Sequence, residues 1–372
     1  MSIAVAIPLL AELDNLPSLL DRMRHQSRRD YTLYLCINNE EDGYGFNENQ
    51  ACLKLLNTVD DLPLVVIDRS SPGLGWSGKK KGVGWARKVL FDTIAEHHAD
   101  TDIVVSLDAD TDFDSYYLEA IHATFIHYPK ASAIGVPYYH PLSGIEQQDR
   151  AMLRYECYMR HYLINLLHIS NPYAFTALGS AIAFPLWAYK KVGGITPLQG
   201  GEDFYLMQKF AKTGTILKRL RNPFQQMVVR PQGRVSSRVP FGTGPAIAKG
   251  VNAMDDSYPF YNEQGFAAIK KTYDLFDSLY DNDIETPMSD FLRQQLSTNE
   301  LWNPLRKNYK KRELFIHACS ERVDGLRILQ FLKNNPQYRL KTSSLPVDFI
   351  HDSIEQLDSY RNQLFNQEME LR

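Results

Sequence analysis

The 372-residue chain is short of cysteine, and its four cysteines (Cys36, Cys52, Cys157, Cys319) never form a C-x-x-C pair. That pattern excludes a disulfide-stapled scaffold and a cysteine-built zinc site, and it fits a reducing compartment. Long apolar runs are missing as well. None approaches the ~18 residues of a membrane helix. Met1 to Leu10 is apolar but short, with no basic leader or cleavage site. Neither sign of charge dominates. Lys plus Arg is 41 and Asp plus Glu is 44, a net charge of −3. A chain-wide basic surface for nucleic acid is therefore excluded, whereas a local basic site is not. Internal repeats and low-complexity segments are absent too. What remains is an ordinary globular composition, 44% apolar and 23% charged. At ~150 residues per domain the length suggests two domains, or one large α/β domain with an appendage. A cytoplasmic enzyme is the expectation.

Apolar patterning gives the order of elements. Ile3–Ile7 is a short β-branched run stopped by Pro8, the pattern of a buried parallel strand. Leu16–Gln26 has helical spacing, with Asn15 or Asp14 as its cap. Tyr31–Ile37, Leu64–Asp68 and Ile103–Leu107 predict further strands. Asn47–Thr58 and Trp85–His98 predict the helices between them. This alternation predicts a doubly wound α/β sheet with its ligand site at the carboxyl ends of the strands. Asn38, Asn39, Asp68 and Asp108 all fall at such ends. From about residue 261 the pattern turns helical: Phe266–Tyr280, Met288–Leu296, Lys311–Leu332 and Val347–Met369. The expected division is 1–260 and 261–372. Tyr273, Phe276 and Tyr280 are either core or an interaction surface.

Asp108, Asp110, Asp112 and Asp114 stand at alternate positions. Packed carboxylates repel unless a cation neutralises them. Magnesium and manganese take one or two carboxylates together with substrate phosphates. Asp108 and Asp110 are the candidate ligands. Asp112 and Asp114 are better read as caps of the helix predicted over Ser115–His127. An EF-hand would need glycine where Phe113 stands.

Gly73 to Lys80 matches the G-x-x-x-x-G-K of a phosphate-binding P-loop, but Lys80 replaces the magnesium-holding hydroxyl. Lys79, Lys80, Lys81 and Arg87 still bring positive charge to a helix start that favours anions. Further on, Gly200-Gly201-Glu202-Asp203 opens a helix predicted over Phe204–Thr213. The acid pair either complements the helix dipole or supplies a general base. Arg230, Arg234 and Arg238 either grip a diphosphate or are surface charge.

Together these segments resemble the family 2 glycosyltransferases of the GT-A fold, over about residues 1–245. The residues that carry the resemblance are Val5-Ala6-Ile7-Pro8 with Glu12, Lys81-Gly82-Val83-Gly84-Trp85-Ala86-Arg87-Lys88, Asp108-Ala109-Asp110, Gly179-Ser180, and Gly193-Gly194 with Glu202-Asp203. The resemblance implies a doubly wound mixed sheet with a C-terminal helical region. It implies a nucleotide-diphosphate-sugar donor, Mn2+ or Mg2+ at Asp110 with Asp108 beside it, and a carbohydrate or small-molecule hydroxyl as acceptor. Pro8, Glu12 and Asn38 would line the base and ribose pocket, and Asp108 would face the ribose or sugar. Asp68, Lys81, Arg87, Gly179, Arg234 and Arg238 complete the expected donor site. Asp203 would be the general base of an inverting transfer, beside Glu202. Ala11-Glu12 stands where the family has Asn-Glu, and Asn38-Asn39 where it often has acids. The Gln-x-x-Arg-Trp motif of processive synthases is missing, which points to transfer of single sugars. The Lys81–Lys88 segment also resembles mannosylglycerate synthases, which retain configuration, so stereochemistry stays open. Peripheral contact with a membrane surface stays open as well. The alternatives are a P-loop-like hydrolase or kinase with Lys79 essential, and a non-catalytic nucleotide-sugar-binding protein.

Overall fold

A computed structural model describes the chain except residues 42, 219, 221–223, 236–241 and 253–257. It divides into two compact units. The first comprises residues 1–156, 175–257 and 372, and the second residues 157–174 and 258–371.

The first unit is built on β1 (Ile3–Leu9), α1 (Leu16–Arg24), β2 (Tyr31–Asn38), α2 (Phe46–Leu56), β3 (Leu64–Arg69), α3 (Val83–His97) and β4 (Ile103–Ser106). These lie within a few residues of the expected elements. A two-residue strand β5 (Thr111–Asp112) follows, then α4 (Tyr117–His127), β6 (Ala131–Gly135), α5 (Glu146–His168), β7 (Ile182–Pro185), α6 (Leu186–Lys191), α7 (Glu202–Thr213), β8 (Thr215–Leu217), β9 (Arg230–Pro231) and α8 (Thr243–Asn252). Residues 157–168 of α5 belong to the second unit.

Seven strands form one sheet in the order β3-β2-β1-β4-β7-β6-β8. β1 pairs in parallel with β2 and β4, while β7 runs antiparallel to β4 and β6. This is the doubly wound sheet that the alternation predicts, mixed as the resemblance implies. Every residue of β1 is buried, as a central strand covered on both faces must be. The chain runs outward from β1 through β2 to β3, then returns to β4 on the other side of β1. That reversal makes the carboxyl ends of β1 and β4 the switch point, where a doubly wound sheet opens a crevice. A separate ribbon pairs β5 with β9, setting Thr111 opposite Pro231.

Two details of capping differ from expectation. Asn15 precedes α1 but makes no side-chain cap bond. Its amide donates to Glu12 Oε2 at 2.6 Å instead. Asp114 accepts from the Tyr116 N–H at 2.8 Å and so shapes the turn into α4, whereas Asp112 faces Arg22 at 3.7 Å.

The second unit is helical: α9 (Glu263–Asp274), α10 (Ser289–Leu296), α11 (Asn303–Asn308), α12 (Arg312–Arg322), α13 (Gly325–Asn334) and α14 (Ile354–Leu371). The single helix expected over Lys311–Leu332 is two. Asp324 caps the second by accepting from the Arg327 N–H at 3.2 Å. Within this unit Arg160 and Glu368 form a 2.5 Å ion pair, both fully buried. Phe276 is core, and the Tyr273 hydroxyl donates to the Val323 carbonyl, so these aromatics belong to packing. No helix among the described residues is long and apolar enough to cross a membrane. All four cysteines are buried and none is in a disulfide.

Candidate active site

The turn after β1 is held from a distance. Ala11 adopts φ +52°, a conformation uncommon for a residue with a Cβ. Asn49 of α2 fixes it by accepting from the Ala11 N–H at 3.0 Å. The same Asn49 amide donates to the Asn38 carbonyl at 3.0 Å and to Asn39 Oδ1 at 2.8 Å. Strain held by surrounding structure often marks a functional turn, and this one delivers the buried Glu12 to the crevice. Sequence reasoning missed Asn49. Its signal was an asparagine on the apolar face of a helix.

The first ionic cluster is centred on Arg87 of α3. Its Nη1 donates to Glu202, and its Nη2 donates to Asp108 Oδ1 at 2.6 Å. Arg87 and Glu202 are buried, and Asp108 is partly exposed, its side chain at 38%. Burial works against the Arg87 charge, but Asp108, Glu202 and Asp203 outweigh it and raise the pKa above the ordinary guanidinium value. Two glycines make room for this clamp. A Cβ on Gly179 would lie 2.1 Å from Arg87 Nη2. A Cβ on Gly84 would lie 2.1 Å from the Leu198 carbonyl oxygen, so only glycine lets the loop before α7 seat on α3. The Lys81–Lys88 segment thus has a mechanical meaning. One glycine admits the loop that leads into Glu202-Asp203, and Arg87, a turn later, grips Glu202.

Glu202 and Asp203 lie in the first turn of α7, not ahead of it. Burial, then the neighbouring Glu202 carboxylate, push the Asp203 carboxyl up to about 7, against the pull of Arg87. The Phe204 N–H donates to Asp203 Oδ1 at 2.7 Å. A carboxyl tuned near neutrality is the kind of group that serves as a general base.

The second cluster is centred on Arg234, three residues beyond β9. Its Nη2 reaches both Glu12 Oε1 and Asp110 Oδ2, the latter at 3.0 Å. Burial lowers the Arg234 pKa, but Asp110, Glu12 and Asp108 prevail and raise it. Since Asp108 acts on both guanidiniums, the clusters adjoin. Among the described residues, five carboxylates (Glu12, Asp108, Asp110, Glu202, Asp203) gather around two arginines at the switch point.

The other candidates divide. Pro8 is buried in β1 beside Cys36 of β2. Asn38 is buried, donating to the Leu9 carbonyl at 2.8 Å and accepting from Trp76 Nε1 at 3.1 Å. Asp68 has both oxygens taken by Ser70 and Ser71. Burial raises its pKa, but these bonds outweigh that and hold it low. Lys81 is partly exposed and faces Glu40 at 3.5 Å. Arg238 lies outside the described residues. The Gly73–Lys80 loop is not shaped as a P-loop. α3 begins only at Val83, and the Gly73 and Gly75 N–H groups donate to the Glu41 carboxylate at 2.8 and 3.1 Å. A protein acid thus sits where a phosphate would.

Among the described residues, no three His, Cys, Asp or Glu side chains assemble into a metal cage. A magnesium- or manganese-type ion needs only one or two carboxylates when phosphate oxygens complete its shell. The donor set here is all carboxylate oxygen, and Arg234 already places one cation between two of its members. The residues therefore fit a hard divalent ion at Asp110, with Asp108 two residues away.

No family model matches the chain, and no curated protein is similar to it. Among solved structures it is similar to S. aureus TarS 1-349 in complex with UDP-GlcNAc, at 13% identity and TM-score 0.44, covering 100% of this chain and 90% of that one. It is also similar to the mannosyltransferase PcManGT from Pyrobaculum calidifontis in complex with GDP-Man and Mn2+, at 13% identity and TM-score 0.42, covering 98% and 85%.

Proposed function

We propose that the chain transfers a sugar from a nucleotide-diphosphate sugar to an acceptor hydroxyl. The observation that carries this reading is the convergence at the switch point of a carboxyl tuned near neutrality with acids and arginines able to manage a diphosphate.

Asp203 is the general base: ionised, it takes the proton from the acceptor hydroxyl as that oxygen attacks the anomeric carbon, which gives inversion. Arg87 has both arms on carboxylates, so it acts by positioning Glu202 and Asp108. Pro8, Glu12 and Asn38 border the nucleoside end of the crevice, where the carboxyl ends of β1 and β2 adjoin. Asp68 organises the following loop. Lys81 and Arg234 are the cations that meet the departing diphosphate. When bound at Asp110, Mn2+ or Mg2+ would supply Lewis-acid stabilisation of that leaving group. The acceptor is a carbohydrate or small-molecule hydroxyl.

A thermal-shift panel of nucleotide-diphosphate sugars, with and without manganese, tests the reading. One or more donors should stabilise the protein in a metal-dependent way and release nucleoside diphosphate when an acceptor is supplied. Product anomer, read by NMR, decides inversion. Stabilisation by ATP or GTP with hydrolysis dependent on Lys79 would overturn the assignment.

A further inference from the structure

Arg87 and Arg234 both bridge carboxylates, but only Arg234 is placed to let go. Its side chain is 35% exposed against 6% for Arg87. Its partners are not: Glu12 and Asp110 are 8% and 14% exposed. Carboxylates so shielded lose a cationic partner at an electrostatic cost that another cation in its place offsets. One nitrogen, Nη2, reaches both acids, so the guanidinium lies between them. The arginine is also tethered. Pro231 is paired with Thr111, the residue after Asp110. The Arg234 N–H donates to the Gln232 carbonyl at 3.1 Å, a tight turn that keeps the lever short. An Arg234 side chain that left Asp110 would remain beside whatever replaced it.

We propose that Arg234 is an exchangeable internal counter-ion. It holds the cation position between Glu12 and Asp110 until a divalent ion arrives together with a diphosphate, and it then moves onto the phosphate oxygens. This rests on the metal and diphosphate reading above and adds an order to it. A divalent ion alone must evict the arginine with nothing to receive it, so it binds weakly. With a diphosphate present, the evicted guanidinium gains a bidentate partner, so each ligand tightens the other's binding, as linkage requires.

Titration calorimetry with Mn2+ alone, and then with Mn2+ and a panel of nucleoside diphosphates, tests the exchange. The comparison uses the wild-type chain, Arg234→Ala, Arg234→Lys and Asp110→Asn, each first checked for folding by thermal denaturation. Arg234→Ala is expected to bind Mn2+ alone about tenfold or more tighter than wild type and to lose most of the mutual tightening. Arg234→Lys, still charged but unable to chelate phosphate, should keep weak metal binding and lose the tightening. If Arg234→Ala binds Mn2+ no better than wild type while Asp110→Asn abolishes binding, the metal site stands and the exchange is wrong. If neither wild type nor Arg234→Ala binds Mn2+ even with a nucleoside diphosphate, the metal reading and the exchange are rejected together.

Discussion

Asp108 and Asp110 stand two residues apart at the same strand end, yet their surroundings are built differently. Asp108 is tied to Arg87, which is buried, shared with Glu202 and packed against Gly179. Asp110 is tied to Arg234, which reaches in from a short ribbon and stays half in solvent. The first arrangement suits fixed geometry, because a buried charge with two partners has no low-energy alternative. The second suits exchange. A cation can take over at Asp110 without rearrangement of the sheet.

The sharpest way to break the comparison is to remove each arginine in turn. Arg87→Ala leaves Glu202 buried without its partner and should cost about 3–5 kcal/mol of stability by denaturant titration. Arg234→Ala should cost less than Arg87→Ala, because its site is open enough for a solvent cation to take the place beside Glu12 and Asp110. Equal losses would erase the distinction. Asp203→Asn probes the fixed cluster chemically: turnover should fall by ~10²–10⁴-fold while donor affinity, read by calorimetry, barely changes. Near-normal turnover would remove Asp203 from the role of base. Gly84→Ala tests the seat of the loop before α7. Its methyl meets the Leu198 backbone, and the loss should be about 1–3 kcal/mol with a fall in turnover.

The smallest effect concerns pH. With the Asp203 carboxyl pushed up to about 7, the ionised base dominates only above that pH, so the rate should fall as pH drops through it. Glu202→Gln removes a neighbouring negative charge, and the limb should move to lower pH. Arg87→Gln removes a positive one, and the limb should move to higher pH. The stability contribution runs the opposite way with pH. The folded state holds a proton between about 4 and 7 that the unfolded chain has released, so this group favours the fold at low pH and ceases to as pH rises through about 7. Shifts in the same direction would show that the two charges do not set the Asp203 equilibrium.

Much of the sheet was legible. Short β-branched runs and helical spacing locate β1 to β4, and their polar ends mark the crevice. The pairing of the acids was not legible. Arg87 meets Glu202 across 115 positions, and Arg234 meets Glu12 across 222. No local pattern encodes such contacts. The long helix α5 escaped for a related reason. Asp149, Arg150, Arg154, Glu156 and Arg160 are buried along it, so its covered face reads as polar and hides the period of 3.6. The break between α12 and α13 was readable as an Asp-Gly capping signal.

The most direct test of the account is calorimetric titration of nucleotide-diphosphate sugars into wild type and Asp110→Asn, each with and without manganese. A donor should bind wild type only with the metal and lose that dependence, with most of its affinity, when Asp110 is replaced. Metal-independent binding, unchanged in Asp110→Asn, would contradict it.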